Sequence, residues 1–389
     1  MKNKIAILGS TGSIGFTTLK IIKKDKKNFE IKLLSTNDNA KKIFKQAKEF
    51  NVKNVIIINP IKFNSWKSKF KKNKIKIYNN FTCINKIFKK KIDYSINAIS
   101  GVDGLNPTLK IIKFSKRIAI ANKESIICGW NLISKELKKY KTQFIPVDSE
   151  HFSIYQLIKN QNPSLIKKIV LTASGGPFFN RKQKKKISVQ DALKHPNWKM
   201  GKKITIDSST LVNKVFEVIE AKKIFNLKMK DISILVNQNS YIHAIVLFKN
   251  GIIKLLAHET KMDIPISNSI YEASAENKIN SKDLNINKIN NINLTRPEIN
   301  QFKVLKILKL IPSKDSLFET VLITVNDELV DLFLNRKIEY KMISALLLKI
   351  INFKNLKKYC KVKPISIEQI YKTRNYVKRV VKTYVSKSY

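Results

Sequence analysis

The sequence predicts an α/β protein with a parallel, helix-covered N-terminal domain, a central mixed α/β domain and a small C-terminal helical domain. Three observations predict it. Short β-branched runs alternate with amphipathic stretches over residues 1–150, a glycine-rich turn follows the first of those runs, and from about residue 301 the pattern is helical. Alternating strand and helix signals are how a parallel sheet with helical crossovers reads in sequence. The boundaries expected on this pattern are a first domain at 1–150, a second at 151–275, a linker at 276–300 and a helical domain at 301–389.

The elements follow in chain order. Candidate strands are Lys4–Leu8, Ile31–Ser35, Asn54–Ile58, Ile75–Tyr78, Tyr94–Ile99, Arg117–Ala121 and Gln143–Val147, each short and rich in branched residues. Between them, Thr17–Lys24, Lys41–Phe50, Pro107–Phe114 and Ser125–Tyr140 carry helical spacing. A new strand begins around Lys167–Thr172, followed by a Gly-Gly-Pro turn and a lysine-rich loop to about residue 203. Strands at Ile232–Val236, Ala244–Phe248 and Ile252–Ala257 are expected to include an antiparallel pair, because Asn250-Gly251 is a strong hairpin signal. The stretch 276–300 is rich in Asn, Ile and Lys without a period. Phe302–Leu310, Glu319–Phe333 and Lys341–Ile351 then read as helices.

The glycine turn is the first motif with chemistry. Gly9-Ser10-Thr11-Gly12-Ser13-Ile14-Gly15 leaves a strand and opens a helix. Glycines there let the backbone approach a pyrophosphate, whose charge meets the helix N-terminus, so the first domain reads as Rossmann-like. An ordinary βα turn is the plainer alternative. Asp38 stands where an acid can grip a ribose 2′-hydroxyl, which favours NAD, or else is a solvated loop residue between Asn37 and Asn39.

Charge excludes less than it suggests. Lys and Arg number 76 against 28 Asp and Glu, a formal net charge of +48, yet only six of the basic residues are Arg. A nucleic-acid binder favours Arg for bidentate contacts and concentrates its charge, whereas these lysines are spread along the whole chain. The expectation is no specific nucleic-acid partner, with weak, salt-sensitive sticking to polyanions. Cys83, Cys128 and Cys360 lie far apart, which argues against a disulfide framework and for a reducing cytosol. With four His and no HExxH, any metal falls mainly to carboxylates, hence Mg²⁺ or Mn²⁺. No apolar run reaches the roughly 18 residues of a membrane span, so no membrane is expected.

Five segments hold the candidate site residues. In Val147-Asp148-Ser149-Glu150-His151 two carboxylates stand two apart after a strand; in an extended segment both face one side and suit a divalent cation, or else one simply caps a helix. Asp207-Ser208 reads as a helix N-terminus, where Ser208 suits a phosphate. Asn213, Lys214 and Glu217 share a face of the helix that follows, as a phosphate grip and metal ligand or as a surface Lys–Glu pair. Ser174-Gly175-Gly176 is a small-residue turn able to cup an anion, and His195-Pro196-Asn197-Trp198-Lys199-Met200-Gly201 is either a lid or a loop anchored by Trp198. Asn122-Lys123-Glu124 ends another strand of the first domain, where open α/β sheets place ligands.

Taken together and in order, GSTGSIG, ANKES, PVDSEH, TASGGPF, HPNWKMG, DSSTLVNKVFEVIEA and Ser240-Tyr241-Ile242-His243 resemble the 1-deoxy-D-xylulose 5-phosphate reductoisomerase family. The resemblance runs from residue 1 to about 270. It implies NADPH-dependent, divalent-metal-dependent conversion of 1-deoxy-D-xylulose 5-phosphate to 2-C-methyl-D-erythritol 4-phosphate, by skeletal isomerisation and then reduction of an aldehyde. It implies Asp148, Glu150 and Glu217 as metal ligands, and Ser174, Ser208, Asn213 and Lys214 at the phosphate end. Lys123, Ser149 and His195 would contact the substrate near its reacting hydroxyls. Trp198 and Met200 would belong to a closing flap, and His243 would be a further active-site histidine. Thr11, Gly12, Ser13, Ile14, Asn122, Glu124 and Gly201 would line the cofactor, with Asn37 and Asn39 beside its ribose. The family is typically homodimeric, and the cysteine usage already noted leads to the expectation of a cytoplasmic protein. The competing reading, another NAD(P)-dependent sugar-phosphate or semialdehyde dehydrogenase, rests on the glycine turn alone and needs no metal.

Overall fold

The computed structural model describes residues 2–179, 187–198, 200–272 and 285–388. Part of the lysine-rich loop (180–186), Lys199 of the proposed flap, and the first part of the expected linker (276–284) lie outside the described residues. Contacts divide the chain into two units: Met1–Ile126, Leu132–Phe152 and the segment from Lys261 form the first, and Ile127–Asn131, Ser153–Thr260 and Asp283–Tyr389 the second.

The first unit is built on seven parallel strands. They are β1 (Asn3–Leu8), β2 (Phe29–Thr36), β3 (Asn54–Ile57), β4 (Lys76–Tyr78), β5 (Ile92–Asn97), β6 (Ser115–Ile120) and β7 (Gln143–Pro146). Their order is β4-β3-β2-β1-β5-β6-β7, so the winding reverses between β1 and β5. Ligands of doubly wound sheets bind beyond the strand ends at such a reversal. The branched runs that predicted these strands are buried on both faces: Ile5, Ile7, Leu34, Val55 and Ile96 at 0 % exposure on one, and Ala6, Leu8, Leu33 and Ile56 at 0 % on the other. Two-sided burial is what a parallel sheet demands. The helix Asp263–Tyr271 also packs Ile266 and Ile270 into this core, and Tyr94 Oη hydrogen-bonds Ser269 Oγ at 2.8 Å.

The second unit contains a four-stranded mixed sheet: β8 (Ile166–Ala173), β9 (Ile232–Val236), β10 (Ile242–Phe248) and β11 (Ile253–Ala257), ordered β11-β10-β8-β9. The expected antiparallel hairpin is β10–β11, turned at Gly251 with φ +86°. One face of the sheet packs Ile169, Leu171 and Val246 against Val218 and Ala221 of the helix Val212–Ile224. The C-terminal helices are Phe318–Leu334, Tyr340–Ile350 and the long Ile367–Ser388. The segment expected as a helix at Phe302–Leu310 is instead a 3₁₀ helix, Lys303–Lys309. Among the described residues no helix is long and apolar enough to cross a membrane.

Candidate active site

In the first unit the glycine turn sits at the reversal of the sheet. Gly9 has φ +80°, and a Cβ there would stand 2.7 Å from the Ala98 carbonyl just beyond β5. A Cβ on Gly15 would stand 2.4 Å from the Gly9 carbonyl, so the helix Ser13–Lys24 can start this close only without one. No side chain caps that helix. Its first N–H groups, with Gly12 and Ser13 exposed and Thr11 and Ile14 half-buried beside them, suit a pyrophosphate. Thr11 Oγ1 bonds Thr36 Oγ1 at 2.7 Å, and Lys42 Nζ donates to the Thr11 carbonyl at 2.7 Å. Lys42 escaped the sequence reading; only the fold brings a residue 31 positions away onto the glycine turn. Asn37, Asp38 and Asn39 are exposed just past β2, and Asn39 Oδ1 caps the next helix by accepting from Lys42 N. Asn122 is buried; its Oδ1 accepts from Ser125 N and its Nδ2 donates to the Gly101 carbonyl, so it braces the loop beyond β5. Glu124 is half-buried in the first turn of the helix Lys123–Lys139.

Lys123, 6 % exposed, opens that helix and ion-pairs with Asp148 at 2.9 Å. His151, fully buried, places Nδ1 3.1 Å from the other oxygen of Asp148. Burial alone would raise the Asp148 pKa, but the Lys123 ammonium and His151 hold it well below the usual carboxylate range. The Asp148–Glu150 pair is not extended, as the two-residue spacing assumed. The helix Ser149–Ile158 begins between the two acids; the Asp148 carbonyl accepts from Phe152 N, Asp148 Oδ1 from Glu150 N, and Ser149 Oγ donates to Glu150. Asp148 therefore acts as a helix cap as well as a candidate ligand. His151 is the residue missed here, and its i,i+3 spacing from Asp148 was the available signal.

In the second unit the helix Val212–Ile224 carries the third acid, Glu217. Asn213 Nδ2 donates to Glu217 Oε1 at 2.5 Å, and Lys214 Nζ contacts both Glu217 Oε2 and the Thr172 carbonyl of β8. The Lys214 and Glu217 side chains are 4 % and 2 % exposed, so the surface-pair alternative is overturned. One turn on, Lys223 pairs with Asp315 and with fully buried Glu319, anchoring this helix to the C-terminal helices.

Ser208 is placed differently from expectation. Asp207 and Ser208 lie in the last turn of the helix Lys202–Ser209, not at a helix N-terminus. Leu211, at φ +61°, breaks the run before the next helix starts. Ser208 still joins the site, because His195 Nε2 bridges it (3.1 Å) to Ser174 Oγ (3.0 Å). His195 Nδ1 accepts from Asn197 N and Trp198 N, which puts the ring proton on Nε2, facing the two serines. Burial lowers its pKa to about 4. The folded-state value lies below the ordinary 6.5, so the neutral ring contributes stability above pH 6.5 that is lost as pH falls toward 4. NMR titration is expected to find this ring neutral at pH 5.5; a midpoint near 6.5 would contradict the assignment.

The segment expected as a flap is held against the β9–β10 connection and β10. Asn197 Nδ2 reaches Ser240 Oγ at 2.9 Å, and half-buried Trp198 meets the His243 ring edge-on at 6.0 Å. His243 is buried, stacks on His258 at 3.7 Å, and is aligned by a contact from Nε2 to the His258 carbonyl. Met200 is half-buried and Gly201, exposed, precedes the helix Lys202–Ser209.

Comparison with known proteins identifies the family. The family model described as 1-deoxy-D-xylulose 5-phosphate reductoisomerase matches residues 5–129, and two models of its C-terminal domains match 144–225 and 258–380. The chain is 57 % identical over 378 residues to the Pelagibacter ubique reductoisomerase, covering 96 % of this chain and 97 % of that one. It is 37 % identical to the enzyme of Thermoanaerobacter sp. strain X514, covering 88 % and 90 %. Among solved structures, the Zymomonas mobilis reductoisomerase with NADPH superposes with TM-score 0.87 at 27 % identity over 99 % of each chain. A reductoisomerase with NADPH, fosmidomycin and magnesium superposes with TM-score 0.89 at 28 % identity over 99 % of this chain and 98 % of that one. The chain belongs to the 1-deoxy-D-xylulose 5-phosphate reductoisomerase family.

Proposed function

We propose the residue roles by which this chain performs the family's reaction. The activity is the NADPH- and divalent-metal-dependent conversion of 1-deoxy-D-xylulose 5-phosphate to 2-C-methyl-D-erythritol 4-phosphate. Asp148, Glu150 and Glu217 supply hard oxygen ligands that fit Mg²⁺ or Mn²⁺. Lys123 and His151 keep Asp148 ionised and fix its direction. Ser174, Ser208, Asn213 and Lys214 grip the phosphate, which anchors a flexible sugar so that its reacting carbons stay aligned with the hydride donor. Neutral His195 donates from Nε2 to a substrate oxygen, and Lys123 and Ser149 bind the reacting hydroxyls. Trp198 and Met200 exclude water, with His243 backing Trp198. When bound, the cation polarises the substrate's carbonyl and hydroxyl oxygens and the reduced nicotinamide supplies the hydride.

Thr11, Gly12, Ser13, Ile14, Asn122, Glu124 and Gly201 line the cofactor, with Asn37 and Asn39 beside the adenosine ribose. The observation that carries the reading is the buried Asn213–Lys214–Glu217 cluster tied to β8. The cluster places an ammonium, an amide and a carboxylate within one helix turn, the groups that a phosphate and a divalent cation need. Metal-dependent NADPH oxidation on adding the deoxyxylulose phosphate is the test. Loss of turnover in EDTA separates this activity from a metal-independent dehydrogenase.

The reading extends to a homodimer in the cytoplasm. Edge strand β11 leaves Ile253 62 % and Leu255 52 % exposed beside Ile252 at 51 %, an apolar edge suited to a second copy. Light scattering is expected to give twice the 44.9 kDa chain mass; a monomer at micromolar concentration would contradict it. Three free cysteines, two of them buried, fit a reducing compartment.

A further inference from the structure

The NADPH reading meets a conflict in this chain. The residue just past the second strand of a doubly wound sheet faces the adenosine ribose, where an acid grips the 2′-hydroxyl and repels a 2′-phosphate. Asp38 stands there, exposed, two positions beyond β2. NADPH use therefore needs positive charge from elsewhere.

A cleft of about 330 Å³ opens beside Asp38 and Asn39, and its other walls include Lys41, Lys62 and Trp66. Its build is specific. Asn59 N donates to the Asn37 carbonyl at 2.9 Å, while Asn59 Oδ1 accepts from Lys62 N at 3.1 Å. This one asparagine both caps the helix Pro60–Lys72 and ties its first turn to the segment after β2. Lys62 and Trp66 are one turn apart and share a helix face. Trp66 is half-buried against Phe44 and Phe70, with the Lys69 ammonium 4.7 Å over its ring, and so is held in place beside the cleft. Lys41 lies in the first turn of the helix Ala40–Glu49, which Asn39 caps. Lys42, next along, donates to the Thr11 carbonyl and Lys69 lies over the Trp66 and Phe44 rings, while Lys41 and Lys62 line the cleft itself. Two ammonium groups against one carboxylate leave the cleft net positive.

We propose that Lys41 and Lys62 bind the adenosine 2′-phosphate of NADPH, and so maintain preference for the phosphorylated cofactor despite Asp38. Trp66 supports the adenine. The inference rests on NADPH being the cofactor.

The test is equilibrium binding of NADPH, NADH and adenosine 2′,5′-bisphosphate to the full-length protein, with no turnover. The double variant Lys41→Ala/Lys62→Ala is expected to weaken NADPH and the bisphosphate by about 30–100-fold and NADH by less than about twofold. Asp38→Asn is expected to tighten NADPH by about threefold or more, by removing a like charge. Both lysines are exposed, so circular dichroism should match the wild type. Unchanged NADPH and bisphosphate affinity in the double variant would overturn the inference while leaving the cofactor reading intact. Wild-type protein that binds NADH as tightly as NADPH would overturn the cofactor reading itself, and with it the inference.

Discussion

Glu150→Gln turns over at least about 10³-fold more slowly than the wild type, while its affinity for NADPH changes by less than about twofold. The substitution keeps the size and shape of the side chain, so the Ser149 hydroxyl retains an acceptor. What is lost is one formal negative charge on a ligand oxygen. Metal stabilisation of developing oxyanion charge is worth several kcal/mol, and each 1.36 kcal/mol is tenfold in rate. The glycine turn that receives the dinucleotide is formed by β1, β5 and the helix Ser13–Lys24, none of which contains Glu150. Steady-state kinetics over a range of Mg²⁺ and Mn²⁺, beside a fluorescence titration of NADPH, separates the two effects. A loss of NADPH binding equal to the loss of turnover would contradict the metal role.

Lys214→Met loses both stability and substrate. Its ammonium sits between Glu217 and the Thr172 carbonyl in a place almost without solvent. Removing one partner of a buried pair leaves the other charge unpaired and costs about 3–5 kcal/mol. The phosphate also loses its cation, so kcat/KM is expected to fall by about 10²–10³-fold, chiefly through KM. The double variant Lys214→Met/Glu217→Gln isolates the stability loss: with no buried charge left unpaired it recovers much of the thermal stability, and it stays inactive because it also lacks a metal ligand. The phosphate role is read from the single variant, and an unchanged KM there would refute it.

Local rules made much of this legible. Glycine spacing after a β-branched run located the turn at Gly9–Gly15, because only glycine fits beside the Ala98 carbonyl. Helical periodicity put Asn213, Lys214 and Glu217 on one face, and the helix is there. Burial of that face was not legible, since a Lys–Glu pair reads the same on a surface as beneath β8.

Other misses share a physical cause. Asp207-Ser208 looked like a helix start because Asp and Ser are good caps, but the helix Lys202–Ser209 had already begun at uncapped Gly201. The break comes at Leu211 in the left-handed region, which leucine sequence gives no reason to expect. His195 meets Ser174 and Ser208 across 21 and 13 residues, and Lys223 meets Asp315 across 92; such pairs exist only once the chain has folded. The cleft at Lys41 and Lys62 is of the same kind, brought together by Asn59 from a different βα turn.

Asp148, Glu150 and Glu217 are proposed to serve a metal in a reductoisomerase rather than merely to cap and brace helices. The most direct test of that role follows NADPH absorbance at 340 nm with purified protein and 1-deoxy-D-xylulose 5-phosphate, after chelation and again after adding back Mg²⁺ or Mn²⁺. Oxidation is expected to stop on chelation, to return with either ion and to yield 2-C-methyl-D-erythritol 4-phosphate. Turnover that survives chelation, or folded protein inert with both ions, would contradict it.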